Sequence, residues 1–250
     1  MTDQSPATSF EEVQPISSNR PTLIEGLPGL GLVAAIAVDA VTTQLELDHY
    51  GSITSDAFPP VVTFQEGLIQ DLVRVYAGSD PNVLTLQSDL ALPPDSFNPL
   101  ASCVIEEIAP RLDRAIFIAG APAESEADLG SVSGIATTES LKEELEAIDL
   151  PIHADAGLVG GITGALVNRC YQESIPAILL IVRAHPFLPD PSAAKAVIET
   201  AIEPLVSFDI DTTELDDQAA EIQDQKRQIA EQFEQYQQRE EPTQTPGMYQ

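Results

Sequence analysis

Lysine is nearly missing from this 250-residue chain. Lys142, Lys195 and Lys226 are the only three, and all basic residues together number 11 against 40 acidic ones, for a net charge of −29. A field of that sign repels nucleic acid and anionic lipid, which excludes both as partners. The acids are spread over the whole length. That pattern points to a cytosol of molar salt, where screening is nearly complete and carboxylates keep the surface hydrated, so the charge is read as a halophilic trait rather than a binding site. Cysteine is equally sparse. Cys103 and Cys170 stand alone, with no C-x-x-C and no metal-ligand spacing, so neither a disulfide framework nor a zinc site is expected. No basic segment followed by an apolar run opens the chain, and the longest apolar run, about Ile175 to Val182, is too short to span a bilayer. The expectation is a soluble cytoplasmic protein with reduced thiols.

What is present is an ordinary globular complement, 43% hydrophobic, sufficient for one sizeable domain and an appendage. Residues 1–20 are rich in Ser, Pro and Glu and are read as a flexible arm. Residues 21–210 alternate strand and helix signals. Thr22-Leu23-Ile24-Glu25 reads as a short strand running into Gly26-Leu27-Pro28-Gly29-Leu30-Gly31, and then a helix from Leu32 to about Glu46. Strands follow at Gly51–Ser55, Val61–Phe64, Leu68–Tyr76 and Val83–Leu86, joined too tightly for helical crossovers, so part of the sheet is expected to be antiparallel. A helix after Pro93-Pro94, a buried strand at Ala115–Gly120 and a short helix around Leu141 and Leu145 come next. Gly160-Gly161-Ile162-Thr163-Gly164 opens another helix, Ala177–Val182 is a central strand, and Asp190 caps a helix with Pro191 at its first position. The pattern predicts a three-layer α/β body around a mixed central sheet.

Residues 211–241 read as a polar helix whose Leu215, Ala219, Ile222, Lys226, Ile229, Phe233 and Tyr236 follow a heptad seam. A coiled coil or helical hairpin and a helix packed on its own domain all fit. Residues 242–250, with Pro242 and Pro246, read as a flexible tail ending in Met248, Tyr249 and Gln250.

Candidate chemistry is thin. Gly29-x-Gly31-x-x-Ala34 fits a dinucleotide fingerprint, but Gly26-Leu27-Pro28 stands between strand and glycines, and Pro28 removes an N–H where a pyrophosphate needs donors. Gly26, Pro28, Gly29, Gly31, Gly160, Gly161 and Gly164 are therefore read as structural turns. His153 with Asp155 has the spacing of a base and its orienter on one strand face, and a packed or solvated histidine fits equally. Gly130-Ser131-Val132-Ser133-Gly134 fails the nucleophile-elbow pattern because Val132 holds its centre. With no Walker lysine and no paired metal ligands, no catalytic residue, metal or cofactor is assigned.

Taken together, Glu25-Gly26-Leu27-Pro28-Gly29-Leu30-Gly31-Leu32-Val33, Gly160-Gly161-Ile162-Thr163-Gly164-Ala165 and the stretch from Ala177 through Pro189-Asp190-Pro191-Ser192-Ala193-Ala194 resemble the proteasome assembly chaperone family as found in archaea. The resemblance covers roughly Pro21 to Ser207. It implies a three-layer fold similar to nucleoside phosphorylases without a known enzymatic site, and a homo-oligomer that binds proteasome core subunits as assembly factor, activator or adaptor. The hydrophobic-Tyr-any ending Met248-Tyr249-Gln250 resembles, independently, the docking motif of proteasome activators. In that motif the terminal carboxylate and the tyrosine are held between α-subunits of the core particle. The competing expectation is a nucleoside- or dinucleotide-binding enzyme using the glycine-rich turn at 26–34.

Overall fold

The computed structural model describes residues 7–16 and 20–224. Among the described residues ten strands form in chain order: β1 (Thr8–Glu12), β2 (Thr22–Gly26), β3 (Asp48–Ser55), β4 (Thr63–Gln65), β5 (Leu68–Gln70), β6 (Val73–Ser79), β7 (Asn82–Ser88), β8 (Arg114–Pro122), β9 (Val132–Ala136) and β10 (Ala177–Ala184). Eight of them make one sheet in the order β1-β3-β6-β7-β2-β8-β10-β9, while β4 and β5 pair only with each other. The centre, β7-β2-β8-β10, is parallel. The β1-β3-β6 flank and the β9 edge are antiparallel. The mixed sheet expected from tight connections is thus present.

Strand alternation explains the layers. In β10, Ala177, Leu179 and Ile181 point to one core and Ile178, Leu180 and Val182 to the other; in β8, Phe117 faces the first core and Ile116 and Ile118 the second. A strand buried on both faces must be apolar at every position, which is why these segments read as continuous hydrophobic runs. The first core is closed by α2 (Phe97–Cys103), which continues into a π-helical turn at Val104–Ile108, and by α4 (Gly161–Gln172). The second is closed by α1 (Val33–Gln44), α3 (Glu139–Ala147) and α5 (Pro191–Val197), the last extended by a π-helical turn at Ile198–Ile202 and by α6 (Glu203–Val206). Asp190 accepts the Ala193 N–H at 3.0 Å and starts α5, and Thr138 accepts the Leu141 N–H at 3.3 Å and starts α3.

Three expectations change. The arm at 1–20 contains β1, whose residues Thr8 to Glu12 pair with Ser55 to Gly51. Its anchor is Phe10, packed on Tyr50 with ring centroids 5.2 Å apart, a pairing invisible without knowing that β3 leaves an open edge. The strand expected over Leu68–Tyr76 breaks into β5 and β6, because Leu68–Gln70 turns back onto β4 while Val73 onward joins the main sheet. The helix at the chain's end begins at 213, and Leu215 is 4% exposed inside the second core. Its opening turns therefore pack on the body. Seam positions from Lys226 onward lie outside the described residues.

Candidate functional site

The two glycine motifs, 130 residues apart, meet at the end of the sheet where β2 stops. The turn after β2 is wedged between elements that leave no room for side chains. A Cβ on Gly26 would stand 2.5 Å from Val38 Cβ of α1, and one on Gly120 in β8 would stand 2.2 Å from the Leu30 carbonyl oxygen. Gly31 has φ +66° and accepts the Asp190 N–H through its carbonyl at 2.8 Å, tying the turn to the start of α5. At the second motif, Gly161 has φ +70°, and a Cβ on Gly164 would lie 2.3 Å from the Val159 carbonyl oxygen. Gly29 and Gly160 differ: a Cβ at either meets nothing within 4 Å, and both have extended backbones. Pro28 lies between Leu27 and Gly29 in the same turn.

Gly29, Gly160, Thr163 and Gly164 border a groove of about 700 Å³ that also reaches His153, Asp155 and Arg183. Its floor is small or aliphatic, Ala119 and Ala121 of β8, Leu179 and Ile181 of β10 and Ile135 of β9. One wall is α4, through Val167, Asn168 and Tyr171. The groove runs along β10 from Ala177 to Arg183 and reaches the carboxyl end of β8 and the turn after β2, where β2 feeds one flank of the sheet and β8 the other. That is where open α/β sheets hold ligands.

Glu25 lies next to this groove and was not singled out as a functional group by its sequence. It is fully buried at the end of β2, and burial pushes its carboxyl up to about 8, outweighing the main-chain N–H groups of Leu27 and Ile118 and the Thr163 hydroxyl that hydrogen-bond it. The available signal was an acid closing the apolar strand Leu23-Ile24 between two buried faces. Its oxygens accept from Leu27 N–H at 3.1 Å and from Thr163 Oγ1 at 3.4 Å. At neutral pH it is a protonated acid that joins the two motifs.

His153 Nδ1 pairs with Ser133 Oγ at 3.0 Å, not with Asp155, although His153 and Asp155 both border the groove. Ser133 lies on the groove face of β9, and its serine–histidine pair has no third group hydrogen-bonded to the imidazole among the described residues. His185 stacks edge-on with Phe187, and His49 bonds Ser52 Oγ at 3.1 Å. Burial pushes the thiols of Cys103 and Cys170 up to about 12, so neither is a nucleophile at neutral pH. Among the described residues no cluster of His, Cys, Asp and Glu has the grouping to hold a metal ion, and no helix is long and apolar enough to cross a membrane. Met248, Tyr249 and Gln250 lie outside the described residues.

The comparisons with known proteins agree with this architecture. A model of the PAC2 family matches residues 23–230. An uncharacterized protein of Methanocaldococcus jannaschii is 29% identical over 191 residues, 76% of this chain and 77% of that protein. Among solved structures, Pyrococcus furiosus PbaA, an archaeal homolog of proteasome-assembly chaperone, is similar over 92% of this chain and 95% of its own, with a TM-score of 0.80 and 26% identity. PbaB of the same organism, an archaeal proteasome activator, gives a TM-score of 0.80 over 91% of this chain and 100% of its own, and at 21% identity that likeness is one of fold. With its family model spanning both glycine motifs, every strand of the main sheet after β1 and the start of the C-terminal helix, the chain belongs to the PAC2 family.

Proposed function

We propose that this chain is a non-enzymatic binding protein that acts on the proteasome core particle as assembly chaperone, activator or adaptor. The observation that carries the reading is the chain-wide likeness to PbaA, described as an archaeal homolog of proteasome-assembly chaperone, at 26% identity and a TM-score of 0.80. Met248-Tyr249-Gln250 is the docking element in this reading, and 242–247 is its tether. A terminal carboxylate and an amphipathic aromatic ring suit capture in a pocket between α-subunits. One tail buries little surface and binds weakly. Several tails on one homo-oligomer share the effective concentration set by the tether, which raises avidity about a hundredfold or more. The body is read as a scaffold similar to the nucleoside phosphorylase-like fold, with the cytosol as its compartment. A pull-down from the native cytosol in molar salt tests the function. The full chain should retain core-particle subunits, and a chain lacking the last three residues should not. Equal recovery with both contradicts the docking element, and recovery with neither contradicts the function.

One observation favours the second reading, a nucleoside- or dinucleotide-binding enzyme: both glycine motifs border a groove that reaches the carboxyl end of β8 and the turn after β2. Against it, the acid beside that groove is sealed and protonated, and Pro28 interrupts the phosphate-binding turn. Calorimetric titration with NAD, NADP, ATP and nucleosides separates the two. Saturable micromolar binding abolished by Gly31→Asp would support the enzyme.

A further inference from the structure

With 40 acids to 11 bases, a cation in this chain should rarely want for a carboxylate. Among the described residues every lysine and arginine forms an ion pair with one, except Arg183. Arg183 Nη1 donates to the Pro122 carbonyl at 3.0 Å, and the rest of the guanidinium has no partner among the described residues. The reason is local. Arg183 borders the groove, and Asp155, the only acid among the described residues of that lining, does not pair with it.

The sheet places this cation beside a second polar point. Leu179, Ile181 and Arg183 alternate along β10 and share its groove face. Ile181 lies directly opposite Ser133 of β9. Ser133 and Arg183 are therefore diagonal neighbours of an antiparallel pair, about 7–8 Å apart. Ser133 Oγ holds Nδ1 of His153 at 3.0 Å, and Nε2 of that imidazole has no partner among the described residues. Around the two polar points the floor is aliphatic, through Leu179, Ile181, Ala119 and Ile135. The groove, about 700 Å³, has the size of sites that enclose a small organic molecule.

We infer that this groove binds a small monocarboxylic acid with an apolar body. The carboxylate sits on the guanidinium fork of Arg183, and the body covers Leu179 and Ile181. A polar substituent, where the ligand carries one, meets His153 Nε2. Each part of the class follows from a group on the wall. The fork of a guanidinium matches the two oxygens of a carboxylate. An apolar ligand without an acid would cover Arg183 and leave its N–H groups unmet. A phosphate dianion would bring two charges to one cation, beside Asp155 and inside a field of net −29. The inference needs neither the C-terminal tail nor the glycine turn, so it stands or falls apart from both readings of function.

Calorimetric titration of the full chain in molar salt tests it. Octanoate, hydrocinnamate and indoleacetate are the acid probes, with hydrocinnamyl alcohol as the neutral probe and phenyl phosphate as the dianion. At least one acid should bind with a dissociation constant of about 1 mM or tighter, the range for a ligand of this size. Hydrocinnamate should bind at least about tenfold more tightly than its alcohol or phenyl phosphate, the effect of one charge-assisted pair. Arg183→Gln should abolish the preference for acid over alcohol. Ile135→Glu keeps the bond from Arg183 to Pro122 but adds a negative charge to the floor, and it should weaken the acid by a similar factor. Circular dichroism and melting report whether each variant is folded. Weaker binding by all three acids, an alcohol or phenyl phosphate bound as tightly as hydrocinnamate, or a folded Arg183→Gln or Ile135→Glu chain that binds as the parent does would each overturn the site.

Discussion

The carboxyl of Glu25 and the hydroxyl of Thr163 lie 3.4 Å apart, although 138 positions separate them. Glu25 is the last residue but one of β2 and Thr163 belongs to the first turn of α4, so this contact joins the two glycine motifs across the end of the sheet. It is made by an acid that burial keeps protonated, with its ionisation pushed up to about 8. Ionising Glu25 places a charge where no cation has been provided, which loosens the junction between β2 and α4.

Stability should therefore fall as pH rises from 5 to 8. The folded carboxyl ionises near 8 and the unfolded one near 4.5, so between those values the folded chain holds the extra proton. The contribution is complete below the unfolded value and is lost as pH passes the folded one, a decline on the order of a few kcal/mol. Arg74 holds Asp89 below its ordinary range, and Arg111 does the same for Glu12; both effects weaken only at acid pH, outside this window. Urea midpoints across pH 5 to 8 measure the decline. Glu25→Gln keeps a neutral acceptor for the Leu27 N–H and should flatten the profile. Equal slopes in parent and variant would show that Glu25 is not its source.

Gly29 in the turn and Gly120 in the strand β8 packed against it should respond unequally to alanine. Gly120→Ala drives a methyl to 2.2 Å from the Leu30 carbonyl oxygen, so the turn or β8 must move. Overpacking of that kind costs roughly 1–3 kcal/mol. Gly29→Ala meets nothing within 4 Å from an extended backbone and should change stability by about 0.5 kcal/mol or less. Chemical denaturation of the two variants compares them directly, and a Gly29→Ala cost equal to that of Gly120→Ala would refute the assignment of packing to Gly120 alone.

Removing salt should loosen the assembly before it melts the body. With 40 acids against 11 bases, self-repulsion between copies grows as screening is withdrawn, while the two apolar cores lose little. Sedimentation and thermal melting from molar salt down to dilute buffer follow the two processes separately. Constant mass and constant melting temperature over that range would contradict the halophilic reading of the charge.

Much of the body was legible because burial on both faces writes itself into sequence. Ala177–Val182 and Ala115–Gly120 announce central strands, and Asp190-Pro191 announces a helix start through cap chemistry that operates within four residues. The features that escaped depend on partners far along the chain. Thr8–Glu12 is polar and unremarkable until β3 offers it an edge, and Leu68 reads as part of a core strand until β5 folds back on β4. Glu25 reads as a polar end to a strand until α4 covers it. The glycine motifs stand out in the sequence, but not that Gly29 and Gly160 border one groove with His153, because that proximity is set by the order of β2, β8 and β10.

The central claim is that Met248-Tyr249-Gln250 brings this protein to the proteasome core. Co-sedimentation with purified core particle in molar salt measures it directly, using the parent, Tyr249→Ala, and a chain extended by one residue beyond Gln250. Tyr249→Ala removes an aromatic anchor of the kind whose loss costs about 2 kcal/mol or more at a hot spot, and the extension displaces the carboxylate. The account predicts that the parent travels with the core particle, that both altered chains stay behind, and that all three keep the same oligomeric mass. Co-sedimentation of both altered chains at the parent's level would contradict it.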